Sequence, residues 1–321
     1  MELEKDKLIE LYTAMLTIRR FEERVVIEFE KGCLPGFVHS YIGQEAIAVG
    51  VCAHLNREDK IISNHRGHGH CIAKGADMKR MMAEIHGKRT GYCKGKGGSM
   101  HIADFSIGML GADGIVAAGL PIAVGAATAA QLNEAGGVAV VFFGDGACQE
   151  GEFHEALNIS SIWKLPLVFV CENNQYGVNT PASYALAAKE IIRMPEAYNI
   201  ASAAVDGNDV LAVYEAAQRA IASTRAGKGP SFLECRTYRW HKHFLSNEIP
   251  DLRPREELEA WKKKCPLAAF EKRLLGANIL TRSEIEAIDF RIQGQVEEAV
   301  IFARESRLPR PEEALEDIYS S

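Results

Sequence analysis

The sequence predicts an α/β protein built on a doubly wound, mainly parallel sheet with helices on both faces, followed by a helical C-terminal extension. Two observations carry that prediction. Between about 60 and 240 short β-branched runs alternate with helix-periodic segments, which is the pattern of parallel strands joined by crossover helices. Residues 138–173 also read as one complete crossover unit. VAVVFF at 138–143 and LPLVFV at 165–170 are apolar throughout, as strands covered on both faces should be. Between them Phe153, Ala156, Leu157 and Ser160 keep helical spacing. Such a unit is right-handed and sets its two strands parallel.

The other elements follow in chain order. The N-terminal stretch is charged and helix-periodic, with Leu8, Leu11, Tyr12 and Met15 on one face. It reads as neither a signal peptide nor a transit peptide. Residues 203–206 and 231–238 are further strand candidates, and 209–226 a helix closed by Gly227. The segment 281–306 opens on Thr281 and Glu284, the spacing of a capping box, with Leu280 and Ile285 placed as a hydrophobic staple. Pro309 and Pro311 then interrupt the chain.

Composition narrows the function classes. The net charge of −6 gives nucleic acid or an anionic membrane no electrostatic support, and no apolar run approaches the ~18 residues of a membrane span. The eight cysteines are scattered without a CxxC pair, so a reducing cytoplasm is the expected setting.

The chemistry concentrates where the two strands of the crossover end. Gly144-Asp145-Gly146 follows the first and Asn173-Asn174 the second. Like ends of parallel strands meet at one edge of the sheet, where open α/β sheets bind ligands. An Asp and an Asn are hard oxygen donors suited to magnesium or calcium, and magnesium commonly fills its remaining positions with phosphate oxygens and water. Glycines beside Asp145 permit close approach of a phosphate, and a helix starting near Ala147 would offer it free N–H groups. A GDG triplet is also an ordinary turn; the strand placement and the paired asparagines favour a diphosphate held through the metal.

A second cluster is His65, Arg66, His68 and His70, in which a guanidinium able to grip two phosphate oxygens stands among imidazoles. Any single histidine is more often structural than catalytic, and metal binding by His68 and His70 is a further reading of the same residues. The stretch from Lys94 to His101 lacks the order of a P-loop. Its glycines suggest a mobile loop, and its lysines are solvated by default.

These motifs, with the wording GDGACQEGEFHEALNISSIWKLPLVFVCENNQYG, resemble the alpha subunit of thiamine diphosphate-dependent 2-oxo acid and acetoin dehydrogenase first components. The resemblance runs from about residue 5 to the C-terminus. It implies thiamine diphosphate and magnesium, with Asp145, Asn174 and the carbonyl of Tyr176 as metal ligands. Gly144, Gly146 and Ala147 would lie against the diphosphate, which His65 and Arg66 would contact, and Gly114 and Val116 would line the cofactor. His39 and His243 would stand close to the reacting carbon, with His68 a weaker acid–base candidate. Residues 1–250 would form the diphosphate-side domain with its N-terminal helix. Residues 251–321 would form a helical extension packed on that domain and on a partner chain.

The activating glutamate of such enzymes belongs to a separate pyrimidine-binding domain, and only one doubly wound domain is legible here. The resemblance therefore implies a beta subunit supplying that glutamate, in a heterotetramer of two alpha and two beta chains that passes its product to a lipoyl acyltransferase. Glu45 is the best internal alternative. Small residues in GLPIAVGAATAA suit either a close interface with that partner or packing within the chain.

The run from His241 to Glu248 departs from the pattern. Lys242 and Phe244 stand where pyruvate-type subunits carry glycine and a serine that some relatives phosphorylate, and the run does not match the acetoin type either. The leading expectation is cleavage of acetoin or a 2-oxo acid with transfer to a lipoyl carrier. The alternatives are a carboligase delivering a two-carbon unit to an acceptor such as a ketosugar, and a non-catalytic scaffold.

Overall fold

The computed structural model describes residues 3–133, 136–246 and 248–319. The strands in chain order are β1 (Lys60–Asn64), β2 (Met109–Asp113), β3 (Ala139–Gly144), β4 (Leu167–Asn173), β5 (Tyr176–Gly177), β6 (Thr180–Pro181), β7 (Ala201–Asp206) and β8 (Ser231–Arg236). Among the described residues six of them form one sheet in the order β2-β1-β3-β4-β8-β7, every pair parallel. The short β5 and β6 pair antiparallel as a separate hairpin.

Helices of seven residues or more are α1 (Lys5–Glu30), α2 (Glu45–Cys52), α3 (His68–Lys74), α4 (Met78–Ile85), α5 (Gly119–Leu132), α6 (Gly151–Ile162), α7 (Val210–Arg225), α8 (Arg255–Lys262), α9 (Pro266–Gly276) and α10 (Arg282–Glu305). Alternation along β3 explains the layering. Val140 and Phe142 enter the core beneath α1, α2, α4 and α7, whereas Ala139, Val141 and Phe143 enter a second core beneath α5 and α6. A strand must be apolar at every position to serve both cores, which is what made 138–143 legible. Burying each large side chain there stabilises the fold by about 1.5–3 kcal/mol.

The crossover is as expected: β3 and β4 are adjacent and parallel, with Gly144 level with Glu172. The cap predicted at Thr281 is present, since its hydroxyl accepts from the Glu284 N–H at 3.3 Å while the Glu284 carboxylate accepts from the Thr281 N–H at 2.7 Å. Leu280 and Ile285 are both buried beside it. In the C-terminal part α10 packs along α4 and α1, and α9 against α1 and α2, so residues beyond 251 share the main core. Among the described residues no helix is long and apolar enough to cross a membrane.

One boundary differs from expectation. The helix after Asp145 begins at Gly151, and a single 3-10 turn from Asp145 to Gln149 comes first. The tighter turn is compatible with the two glycines flanking Asp145 and keeps that residue at the strand end rather than inside a helix.

Candidate functional site at the carboxyl edge of the sheet

The ends of β1, β3 and β4 open into one cavity of about 80 Å³. It is lined by His65 and Arg66 after β1, by Gly144, Asp145, Gly146 and Ala147 after β3, by Asn174, Tyr176 and Gly177 after β4, and by Val116 and His243. A larger cleft of about 690 Å³ shares Tyr176, but its buried carboxylate, Glu234, is already engaged by Asn173 and Arg236. Of the two, the smaller is lined by a buried polar atom that has no partner among the described residues.

Asn174 is 7% exposed. Its Nδ2 donates to Gln44 Oε1 at 3.1 Å, while its Oδ1, among the described residues, has no partner. A buried acceptor left open costs about 1–3 kcal/mol and calls for a ligand. Asp145 is 2% exposed. Burial pushes its carboxyl up to about 6, against the backbone N–H groups of Asp145, Asn174 and Gln175 and the positive charge of Arg239. A cation between these two oxygens would satisfy one and neutralise the other. Behind them, Gln175 and Val178 adopt left-handed φ values of 71° and 56° around Tyr176 and Gly177, backbone strain of the kind that collects at ligand sites. A Cβ on Gly144 would meet nothing within 4 Å, and one on Gly146 only the Cα of Gly177, so the backbone here faces open space.

Arg66 is buried and, among the described residues, has no carboxylate within hydrogen-bond reach. Its guanidinium donates to the carbonyls of Ser40 at 2.9 Å and His243 at 2.7 Å. Desolvation lowers its pKa to about 10. Arg239, likewise buried, is lowered to about 9 by desolvation and by Arg66 and Arg253, and it donates to the carbonyls of Val178 and His241. Two cations held this close are stabilised by an anion. The site fits a diphosphate with magnesium.

Beside Arg66 three imidazoles converge. His39, His65 and His243 have ring centroids 4.5, 5.0 and 5.1 Å apart. Burial and the charge of Arg66 hold His39 and His65 far below the usual imidazole range and His243 at about 3, so all three are neutral. His39 Nδ1 is buried without a partner among the described residues. Phe244 packs edge-on against Phe37 at 5.1 Å and near His39 at 5.7 Å, adding an apolar ring beside the imidazoles. Asn247, in the same departing run, lies outside the described residues.

Several expectations are corrected. His68 is fully buried away from this cavity, with Nδ1 on Glu22 and Nε2 on Ser99, both at 3.0 Å. His70 is spent on Ser63 and Glu172 and stacks on Phe142. Neither is placed to meet a reacting group or to share a metal, because helix α3 turns both rings into the core. Gly114 borders this cavity without lining it, two residues before Val116, and a Cβ there would sit 3.4 Å from the His101 ring. Glu45 is excluded as an activating carboxylate, since it is buried, ion-paired with Arg19 at 2.6 Å and accepts from the Gly43 N–H. Lys94 and Lys96 are not merely solvated but reach the C-terminal tail at Asp317.

The sequence reading missed Arg239 and Gln44. Arg239 stands four residues before His243, between Tyr238 and Trp240, and Gln44 directly precedes a helix, so each had a local signal. What hid them was that only the fold brings both to Asp145 and Asn174.

A parallel sheet whose strand ends gather hard oxygen donors under a buried cationic cluster defines an α/β protein with a site suited to an anionic ligand. The comparisons make this specific. The family model described as dehydrogenase E1 component matches residues 13–312. The chain is 49% identical over 321 residues to subunit alpha of the acetoin:2,6-dichlorophenolindophenol oxidoreductase of Bacillus subtilis, covering 100% of this chain and 96% of that one. It is 45% identical to the protein of the same description from Cupriavidus necator, over 99% of this chain and 96% of the other. It is 36% identical to the somatic, mitochondrial pyruvate dehydrogenase E1 component subunit alpha of Homo sapiens, over 98% and 80%. The chain belongs to the dehydrogenase E1 component family, and that membership implies thiamine diphosphate as cofactor.

Proposed function

We propose that this chain is the alpha subunit of a two-chain thiamine diphosphate enzyme that cleaves acetoin or a 2-oxo acid and passes the two-carbon or acyl unit to a lipoyl group. The carrying observation is the open Oδ1 of buried Asn174 in the same cavity as the destabilised carboxylate of Asp145. Asp145, Asn174 and the carbonyl of Tyr176 would hold magnesium. Gly144, Gly146 and Ala147 would face the diphosphate, with His65 and Arg66 gripping it, and Val116 and Gly114 would support the rest of the cofactor. When bound, thiamine diphosphate supplies the carbon nucleophile and electron sink for breaking a carbon–carbon bond next to a carbonyl.

The chain's own residues then account for the remaining work. Arg66, pinned to two carbonyls, presents its charge without needing to move. His39 and His243, held neutral by burial and by Arg66, would offer hydrogen bonds beside the reacting atoms, and the negative charge of a bound diphosphate would raise their proton affinity toward that of a proton carrier. Phe244, packed edge-on against Phe37, would make that side more apolar. With Glu45 committed to Arg19, the activating carboxylate must come from elsewhere. A beta chain in a heterotetramer of two alpha and two beta chains, delivering to a lipoyl acyltransferase, answers that need. In this reading residues 1–250 form the diphosphate-side domain and 251–321 its extension, and eight free thiols suit a reducing cytoplasm.

The test is to purify the chain with and without a candidate beta chain and assay acetoin, pyruvate and branched 2-oxo acids with an artificial electron acceptor. Turnover only in the pair, dependent on thiamine diphosphate and magnesium, is expected. Turnover by the chain alone would overturn the divided site.

A further inference from the structure

We infer that Glu84 is a positioning residue, a built-in anion that shapes the glycine-rich loop 93–98 and thereby fixes the segment 112–116 beside the cavity. Its carboxylate is fully buried at the end of α4. One oxygen accepts from the N–H groups of Cys93 at 2.8 Å and Gly95 at 2.9 Å, the other from those of Gly97 at 2.8 Å and Gly98 at 3.0 Å. Consecutive amides turned inward by left-handed residues make an anion nest, and Lys94, Gly95 and Gly98 have φ of 57°, 79° and 59°. The loop has the form of a phosphate cradle, yet the protein's own side chain occupies it. A Cβ on Gly91 would come within 2.3 Å of that carboxylate, so the glycine there is required by packing.

The loop leads directly to groups that touch the site's border. Ser99 Oγ lies 3.0 Å from His68 Nε2, and His68 Nδ1 lies 3.0 Å from Glu22, which ties the end of the loop to α1. Two residues on, the His101 ring pairs with the Ala112 carbonyl at 3.2 Å and abuts Gly114. Gly114 and Val116 belong to the segment that the proposed function sets against the cofactor, and the cofactor arm of the inference rests on that reading. The ordering arm does not.

The test uses the full complex with its beta chain and the variants Glu84→Gln and Glu84→Ala, each with sodium formate or with sodium chloride at equal ionic strength. Backbone hydrogen exchange is followed in peptides covering 91–101 and 110–117, and half-saturation by thiamine diphosphate is measured beside kcat. In Glu84→Gln, whose single carbonyl oxygen cannot serve four donors, faster exchange in both peptides and a half-saturation raised about tenfold with kcat largely kept are expected. In Glu84→Ala, formate but not chloride should restore protection and half-saturation. Faster exchange confined to 91–101, or no response to formate, would overturn the inference. If Glu84→Ala does not assemble, Glu84→Gln decides it by the spread of exchange to 110–117. A wild-type complex indifferent to thiamine diphosphate would sink the functional reading while leaving the exchange result to judge the loop.

Discussion

At the scale of single residues, the site is a set of groups that are costly as they stand. Among the described residues Asp145 is a buried carboxylate without a cationic side chain bonded to it, and Asn174 keeps an open oxygen. Removing the first relieves a penalty in the empty protein, since an isolated buried charge destabilises. Asp145→Ala is therefore expected to keep or slightly raise the urea midpoint of the chain while weakening magnesium-dependent thiamine diphosphate binding more than about 100-fold by calorimetry. Unaltered affinity would remove Asp145 from the site. Phe244 acts on shape instead of charge. Phe244→Ala gives up an edge-on ring pair worth about 0.5–1.5 kcal/mol and opens the wall beside His39. The ratio of kcat/KM for branched 2-oxo acids over acetoin should rise, and a constant ratio would show that this ring does not select substrate.

At the scale of elements, strand ends and helix caps do different work. The register of β3 against β4 brings Asp145 and Asn174 to one edge because parallel neighbours end together. The cap on α10 has no part in chemistry, but α10 packs on α1 and α4, and α4 carries Glu84 at its end. Thr281→Ala should lower stability by about 1 kcal/mol in urea denaturation and leave turnover of the assembled enzyme unchanged. Elements with internal periodicity were legible from residues alone, including α1, α7, α10 and the β3–β4 crossover. The 3-10 turn after Asp145 was not, because glycine-flanked residues carry no periodicity to read. The glycines between Lys94 and His101 suggest mobility for the same reason, since nothing local reveals that the Glu84 carboxylate accepts from amides of that stretch.

For the whole molecule, the histidine cluster sets a pH dependence. His39, His65 and His243, with His54 and His241 elsewhere, have folded-state pKa values depressed chiefly by burial. The unfolded chain binds protons below about pH 6.5, where these folded imidazoles refuse them. More protons bound when unfolded means that stability rises with pH. As pH falls from about 6.5 toward 5, each fully depressed imidazole should remove up to about 1.4 kcal/mol per pH unit. Urea midpoints of the isolated chain at pH 7 and pH 5.5 check this, and equal midpoints would show that these rings are not held neutral.

The sequence by itself determined the layered α/β architecture, the edge at which chemistry gathers and the family, because strand burial, helix periodicity and short oxygen-bearing motifs are encoded within stretches of a few residues. Only the tertiary structure decided which of several equivalent-looking groups are available. It placed His65 beside His39 and His243 while turning His68 and His70 into the core, tied Glu45 to Arg19, brought Arg239 to Arg66, and seated Glu84 in a cradle that a phosphate would suit. The reason is that availability depends on what each buried polar group is paired with, and those partners lie from about ten to nearly two hundred residues away along the chain.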